Sequence, residues 1–210
     1  MEDLGLDPKL VDKCLDVKKV NDNKKKLYAA LDLGTNSCRM LIARPTGSRF
    51  EIVDAFSKSI RLGLDLERTG ELSQAGISRA LQALHVCAKK LNKFGVRNSR
   101  LVATEACRRS KNGKSFLSKV KKETGLTLEL IKPEEEARLA VISCAPLFDP
   151  NFSHVLIVDI GGGSTELVWM DLSEVPKEKR IAEMLKLQLG FKNKNYSKFE
   201  KSKKDHIKIV

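Results

Sequence analysis

Apolar and polar positions alternate along this chain in two rhythms. The first is the short one of strands. Leu27-Tyr28-Ala29-Ala30-Leu31 reads as a buried strand, Asp32-Leu33-Gly34-Thr35-Asn36-Ser37 as a polar turn, and Cys38-Arg39-Met40-Leu41-Ile42-Ala43 as a returning strand. After Thr46-Gly47-Ser48, Phe50 to Ile60 supplies a third strand. The rhythm then lengthens. Ser73 can cap a helix whose apolar residues Ile77, Leu81, Leu84, Ala88 and Leu91 recur at spacings of three and four up to Phe94-Gly95. A strand at Arg100-Leu101-Val102-Ala103-Thr104 leads into Glu105-Ala106-Cys107-Arg108-Arg109, followed by a charged helix from Lys114 to Glu123 and a strand from Leu126 to Ile131. Pro133 then opens a helix through Ala140, with Glu134, Glu135 and Glu136 where the helix dipole favours acids. The order β-β-β-α-β-α-β-α predicts a layered α/β domain.

The strand rhythm returns in Val155 to Met170, VLIVDIGGGSTELVWM, which reads as strand, tight loop, strand. Gly161, Gly162 and Gly163 are expected to turn through positive φ and bring N–H groups close to a ligand, a good arrangement for an anion. Asp159 would repel phosphate directly. Its chemical use would be to hold a hydrated divalent cation that in turn holds phosphate. Alone, the segment also admits the plainer but less favoured reading of an ordinary glycine hairpin with an exposed aspartate. The segment at Asp32 repeats the device: apolar strand, Asp, glycine with Thr or Ser, second strand. Two copies suit a phosphoanhydride, which carries charge on several oxygens and is best held from two sides.

Composition narrows the field. With 210 residues and 41% apolar content the chain can bury a sizeable core. No apolar run approaches the ~20 residues of a membrane span, and Met1-Glu2-Asp3-Leu4 does not open a signal peptide, so the cytoplasm is the expected location. Five scattered cysteines without a C-x-x-C pair, and only three histidines, argue for reduced thiols and against a zinc site; His85 and Cys87 read as structural. The net charge of +12 is unevenly placed, since Lys186 to Val210 holds eight lysines against Glu200 and Asp205. The body is only mildly basic, and no helix combines basic with base-reading residues. Gly113-Lys114-Ser115 suggests a P-loop, but that pattern needs glycine where Arg108 stands.

Together, Asp32-Leu-Gly-Thr-Asn-Ser, Arg61-Leu-Gly, Ala103-Thr104 leading to Arg108, Glu135-Glu136-Ala137-Arg138 and Asp159-Ile-Gly-Gly-Gly-Ser-Thr-Glu166 resemble the exopolyphosphatase and guanosine pentaphosphate phosphohydrolase family over residues 27 to 172. The resemblance implies an actin-like ATPase (ribonuclease H-like) α/β fold and a phosphoanhydride hydrolase acting on polyphosphate or guanosine pentaphosphate. It implies phosphate binding by Gly34, Thr35, Asn36, Ser37, Arg108, Gly161, Gly162, Gly163, Ser164 and Thr165, magnesium held by Asp32 and Asp159, and water activated by Glu136. The residues are suited to these tasks. Arginine can clamp phosphate bidentately, a helix-start glutamate can have its pKa tuned by neighbours, and hydrolysis of a terminal phosphate is chiefly positioning and charge neutralisation. A solvated surface arginine remains the plain reading of Arg108.

The expected organisation is a flexible leader (1–26), a first actin-like lobe (27–150), the opening β-hairpin of a truncated second lobe (151–185) and a basic tail outside the family pattern (186–210). Lys132-Pro133 replaces the usual Ser-Gly or Ser-Pro before the acidic pair, a change expected to be tolerated. A chain shortened near residue 186 would lack most of one wall of a two-lobed cleft, leave a sheet edge and apolar face uncovered, and turn over poorly. The expected partners are polyphosphate or guanosine pentaphosphate and, for assembly, a second copy in a homodimer; membrane and specific nucleic acid are not expected. The rival readings are a non-catalytic polyanion- or partner-binding remnant that uses the basic tail, and a nucleotide-dependent kinase of the same superfold.

Overall fold

The computed structural model describes residues 26–47 and 49–186 and the backbone of a strand at 207–209. The expected leader and most of the basic tail lie outside the described residues. The chain divides into two compact units, residues 1–130 and 131–210.

The first unit is built on a mixed sheet. Strands β1 (Tyr28–Leu33), β2 (Ser37–Thr46) and β3 (Arg49–Ser59) form an antiparallel meander, and β4 (Asn98–Ala103) and β5 (Glu129–Leu130) add in parallel, giving the order β3-β2-β1-β4-β5. Alternation decides what is buried: Ala29, Leu31 and Leu33 of β1 and Cys38, Met40 and Ile42 of β2 face a core completed by helices. The short helix α1 (Leu66–Thr69) precedes α2 (Gln74–Lys93), and α3 (Glu105–Arg109) precedes α4 (Gly113–Thr124). Ser73 caps α2 as predicted, accepting from Gly76 N–H at 3.2 Å, and Ile77, Leu81, Leu84 and Leu91 are all buried. The one shortfall is β5. Leu126 and Leu128 enter the core, but only Glu129 and Leu130 pair with β4, so the predicted strand is mostly extended chain.

In the second unit, α5 (Pro133–Cys144), a 3-10 turn (Ala145–Leu147) and α6 (Lys177–Lys186) accompany strands β6 (His154–Ile160), β7 (Thr165–Asp171) and β8 (Ile207–Ile209). Two expectations are revised here. The expected lobe boundary at residue 150 moves to between Leu130 and Ile131, because Ala137, Val141 and Ala145 pack with Ile157, Val168 and Met170 rather than with the first core. The second unit is also more than a hairpin, since Ile207–Ile209, in the expected non-family tail, pairs antiparallel with β7. Arg180 fastens α6 to the preceding turns by donating to the carbonyls of Leu172, Val175 and Pro150 at 3.2, 3.0 and 2.9 Å.

One face of the β6–β7 hairpin is covered and the other is open. Leu156, Val158, Ile160 and Trp169 are 57, 50, 77 and 44% exposed and form an apolar patch on the open face. No helix among the described residues is long and apolar enough to cross a membrane.

The Gly113-Lys114-Ser115 triplet serves packing. A Cβ at Gly113 would lie 2.0 Å from the Cys107 carbonyl and 2.7 Å from Ser110 Oγ, so α4 starts against the end of α3 only because residue 113 has no side chain. Beside it, Asn112 pairs with the Leu72 backbone, accepting at 2.8 Å and donating at 3.0 Å. Gly113→Ala is expected to lower unfolding free energy by about 1–3 kcal/mol through overpacking, measured by denaturant titration.

Two ion pairs tie helices to their surroundings. Lys90 Nζ donates to Asp54 at 2.6 Å and holds its carboxyl below the usual 3.8, while Arg109 holds Glu67 below 4.5. Both folded pKa values are depressed, so their stabilisation is complete above about pH 4.5 and lost as pH falls through the lower folded values. Melting temperature followed from about pH 5 to 2 should therefore fall, and Lys90→Met should flatten part of that slope.

Candidate functional site

The first hairpin turns in four residues. Leu33 pairs with Cys38, and between them Gly34 N–H donates to the Ser37 carbonyl at 2.9 Å. A Cβ on Gly34 would stand 3.4 Å from that carbonyl. Asp32 is exposed at the end of β1, directly across the ladder from Arg39. Two more of the loop's carbonyls are engaged from outside it: Asn36 O accepts from Ile60 and Arg61 N–H at 2.8 and 3.0 Å, and Thr35 O from Gly63 N–H at 3.1 Å. A Cβ at residue 63 would come within 2.5 Å of Thr35 Cγ2, so any larger residue there would force the Thr35 side chain to turn. This is the structural use of the Arg61-Leu62-Gly63 motif.

Parallel pairing of β1 with β4 brings a second element to the same place. Ala103 lies opposite Leu33, and Thr104 N–H donates to the Leu33 carbonyl at 3.3 Å. The chain then turns into α3, which carries Arg108. The first unit thus gathers Asp32, Gly34, Thr35, Asn36, Ser37 and Arg108 at the carboxyl ends of adjacent parallel strands, where open α/β sheets bind ligands. The plain reading of Arg108 as a solvated arginine does not describe it. Arg108 is half-buried and donates from Nε and Nη2 to Glu105 at 3.0 and 2.5 Å, while the exposed neighbour Arg109 turns to Glu67 at 2.7 and 3.1 Å. Sequence reading missed Glu105 as the partner, although its spacing of three residues within one helix is a legible signal.

The second hairpin repeats the first in register. Ile160 pairs with Thr165 as Leu33 pairs with Cys38, and Gly161 N–H donates to the Ser164 carbonyl at 2.9 Å, as Gly34 does to Ser37. In both, the aspartate stands two residues before the closing glycine. The expected reason for the glycine triplet is corrected here. Among the described residues the left-handed glycines are Gly47, Gly70, Gly95 and Gly125, and none of Gly161, Gly162 or Gly163 is among them. At Gly161 the requirement is close approach, because a Cβ would lie 3.1 Å from the Ser164 carbonyl. Gly161, Gly162, Gly163 and Thr165 are exposed and Ser164 half-buried, so the loop presents its backbone. Across the ladder from exposed Asp159 stands Glu166, buried on the same face as Val168 and Met170.

Glu136 sits in the first turn of α5, half-buried, with its N–H donated to the Lys132 carbonyl at 3.0 Å. Ala137, next along, anchors the helix in the core of this unit. Glu135 is occupied: Arg138 donates to both its oxygens at 2.6 and 2.7 Å.

Among the described residues no three His, Cys, Asp or Glu side chains cluster closely enough to hold a metal alone. Magnesium does not ask for such a cage. It takes one or two carboxylates and completes its octahedron with water and phosphate oxygens; Asp32 in the first unit and Asp159 in the second are each, taken singly, an exposed hard-oxygen donor of that type beside a backbone-lined loop. His85 is exposed, and Cys38, Cys87 and Cys107 are buried free thiols; burial pushes Cys107 up to about 12, and the hydrogen bond that the Cys38 thiol donates to Cys87, with burial, pushes Cys38 up too.

Residues 41–194 match the Ppx/GppA phosphatase family. The crystal structure of the Aquifex aeolicus Ppx/GppA family member is 36% identical, with a TM-score of 0.61 over 70% of this chain and 48% of that one. A crystal structure of an exopolyphosphatase-like protein is 30% identical, with a TM-score of 0.65 over 73% and 47% of the two chains. An exopolyphosphatase from Cytophaga hutchinsonii shares the fold at 22% identity and a TM-score of 0.64, over 72% and 48%. This chain spans about half the length of these structures. By matched length and by identity, the chain belongs to the Ppx/GppA phosphatase family.

Proposed function

We propose that the protein is a phosphoanhydride hydrolase that releases terminal phosphate from inorganic polyphosphate or guanosine pentaphosphate. The observation that carries the reading is the pair of hairpins with one design: aspartate at the strand end, glycine two residues on, and a turn closed by the same N–H···O bond at 2.9 Å. Each closure spends the serine carbonyl internally and leaves a backbone-lined loop beside a carboxylate. Membership of a phosphatase family gives that device its chemical sense.

In this reading Gly34 to Ser37 and Gly161 to Thr165 bind phosphate oxygens through backbone N–H and hydroxyl donors. Arg108, its plane fixed by Glu105, adds directed hydrogen bonds to a phosphate. Asp32 and Asp159 are the carboxylates that would hold hydrated magnesium, and the ion would supply the positive charge that the developing anion needs. The Glu136 carboxylate accepts a proton from the attacking water as its oxygen bonds to the terminal phosphorus. The bridging P–O bond breaks and the shortened chain leaves with that oxygen. Occupation of Glu135 by Arg138 suits the assignment, because the neighbouring acid is compensated and does not compete for the proton.

Phosphate release from polyphosphate and from guanosine pentaphosphate, with magnesium, tests the reading. The wild-type chain should release phosphate, chelation of magnesium should abolish release, and Glu136→Gln should lower it by about 10²- to 10⁴-fold while leaving substrate binding intact. A folded chain that binds polyphosphate without turnover, with salt-sensitive affinity that survives Glu136→Gln, would replace hydrolysis with polyanion binding.

Arg108→Lys should raise KM about tenfold or more, since an ammonium cannot reproduce a planar two-point donor, and kcat should change less. Steady-state kinetics on the faster of the two substrates gives the comparison.

A further inference from the structure

The first phosphate loop does not hold its own shape. Its Thr35 and Asn36 carbonyls are pinned by the N–H groups of Ile60, Arg61 and Gly63. In a planar trans peptide the N–H points opposite to the carbonyl. Pinning Thr35 O and Asn36 O therefore turns the N–H groups of Asn36 and Ser37 away from the 60–63 segment, which is the orientation a backbone anion site requires. Whatever sets the 60–63 segment sets the donors.

That segment is strained. Arg61 has φ 46°, the one described non-glycine residue with positive φ, a conformation that costs an L residue energy and persists only where its surroundings enforce it. The enforcement comes from α2. Arg79 Nε donates to the Ile60 carbonyl at 2.6 Å and Nη2 to the Arg61 carbonyl at 3.1 Å, so one planar guanidinium grips two successive peptides across the strained residue. Gly76, one turn earlier, lets the helix approach: a Cβ there would lie 3.1 Å from the Leu62 carbonyl. Ile60 and Leu62, fully buried on either side of Arg61, anchor the segment in the core.

We propose that Arg79 is a positioning residue for the phosphate loop, holding Arg61 in its left-handed conformation and through it aiming the Asn36 and Ser37 N–H donors at bound phosphate. The assignment rests on the reading of residues 34 to 37 as a phosphate loop. Arg79 touches no phosphate itself.

Two measurements on the full chain decide it: NMR-detected amide exchange at Ile60, Arg61 and Gly63 without ligand, and calorimetric affinity for magnesium tripolyphosphate. Arg79→Ala should speed exchange at Ile60 and Arg61 by about tenfold or more and weaken tripolyphosphate binding by a similar factor, with circular dichroism retained. Arg79→Lys should lose most of the same affinity, since one ammonium cannot grip both carbonyls. Arg61→Gly, which makes φ 46° free of strain, should restore much of the affinity in the Arg79→Ala background. That rescue separates positioning from a general loss of stability. Unchanged exchange in Arg79→Ala, or an affinity loss that Arg61→Gly leaves untouched, overturns the inference. A wild-type chain that binds no tripolyphosphate overturns the phosphate reading and this assignment's functional part, while the exchange comparison still decides whether Arg79 holds the segment.

Discussion

A four-residue turn that must present N–H groups outward has a bookkeeping constraint: each of its carbonyls needs a partner that is not the ligand. The two hairpins answer part of it identically, with Gly34 N–H on Ser37 O and Gly161 N–H on Ser164 O, both at 2.9 Å. For the first hairpin two further carbonyls are accounted for. The Thr35 and Asn36 carbonyls go to the 60–63 segment, that segment goes to Arg79, and Arg79 rides on a helix whose Ser73 cap and buried Ile77, Leu81 and Leu84 fix it on the sheet. Loop, motif and helix form one chain of dependence running from an amphipathic pattern to a set of backbone donors.

The same constraint explains the glycines differently from the way the sequence suggests. A triplet at 161–163 invites a left-handed turn, yet the left-handed positions lie elsewhere, at Gly47, Gly70, Gly95 and Gly125. Gly63, Gly76, Gly113 and Gly161 instead mark places where backbone or a side chain passes close to where a Cβ would stand, with clearances from 3.1 Å down to 2.0 Å. Close approach is a property of two segments at once. No single window of sequence reports it.

Local periodicity made most of the elements legible, because capping, alternation and the three-and-four spacing are local physics: Ser73, the β1–β2 alternation and Pro133 each appear where predicted. The candidate loops were legible because their chemistry repeats, and a repeat carries information that one hairpin does not. What escaped was non-local. The division at Leu130 depends on which core Ala137 and Val141 join, the shortness of β5 on how much of the 126–131 segment reaches β4, and the grip of Arg79 on carbonyls 18 and 19 residues away. Carbonyl partners leave no mark on composition, so an arginine that holds backbone looks in sequence like any other helix-surface arginine.

Charge follows the same division between total and placement. A net charge of +12 suggests a surface ready for polyanions, yet half of it belongs to residues 186–210 and much of the arginine in the body is committed. Arg108 is held by Glu105, Arg109 by Glu67, Arg138 by Glu135 and Arg79 by carbonyls. At the carboxyl ends of β1 and β4 the charges come in opposite pairs, Arg108 with Glu105 and Arg39 across from Asp32. Such pairs give direction without much net field, since the acid cancels at a distance what the guanidinium offers close by. A loop of this kind can orient a phosphate but is poorly equipped to neutralise one. In the proposed reading a hydrated divalent cation would supply the missing neutralisation, and the exposed aspartate that closes each strand, repulsive to phosphate by itself, is the type of oxygen donor such an ion takes.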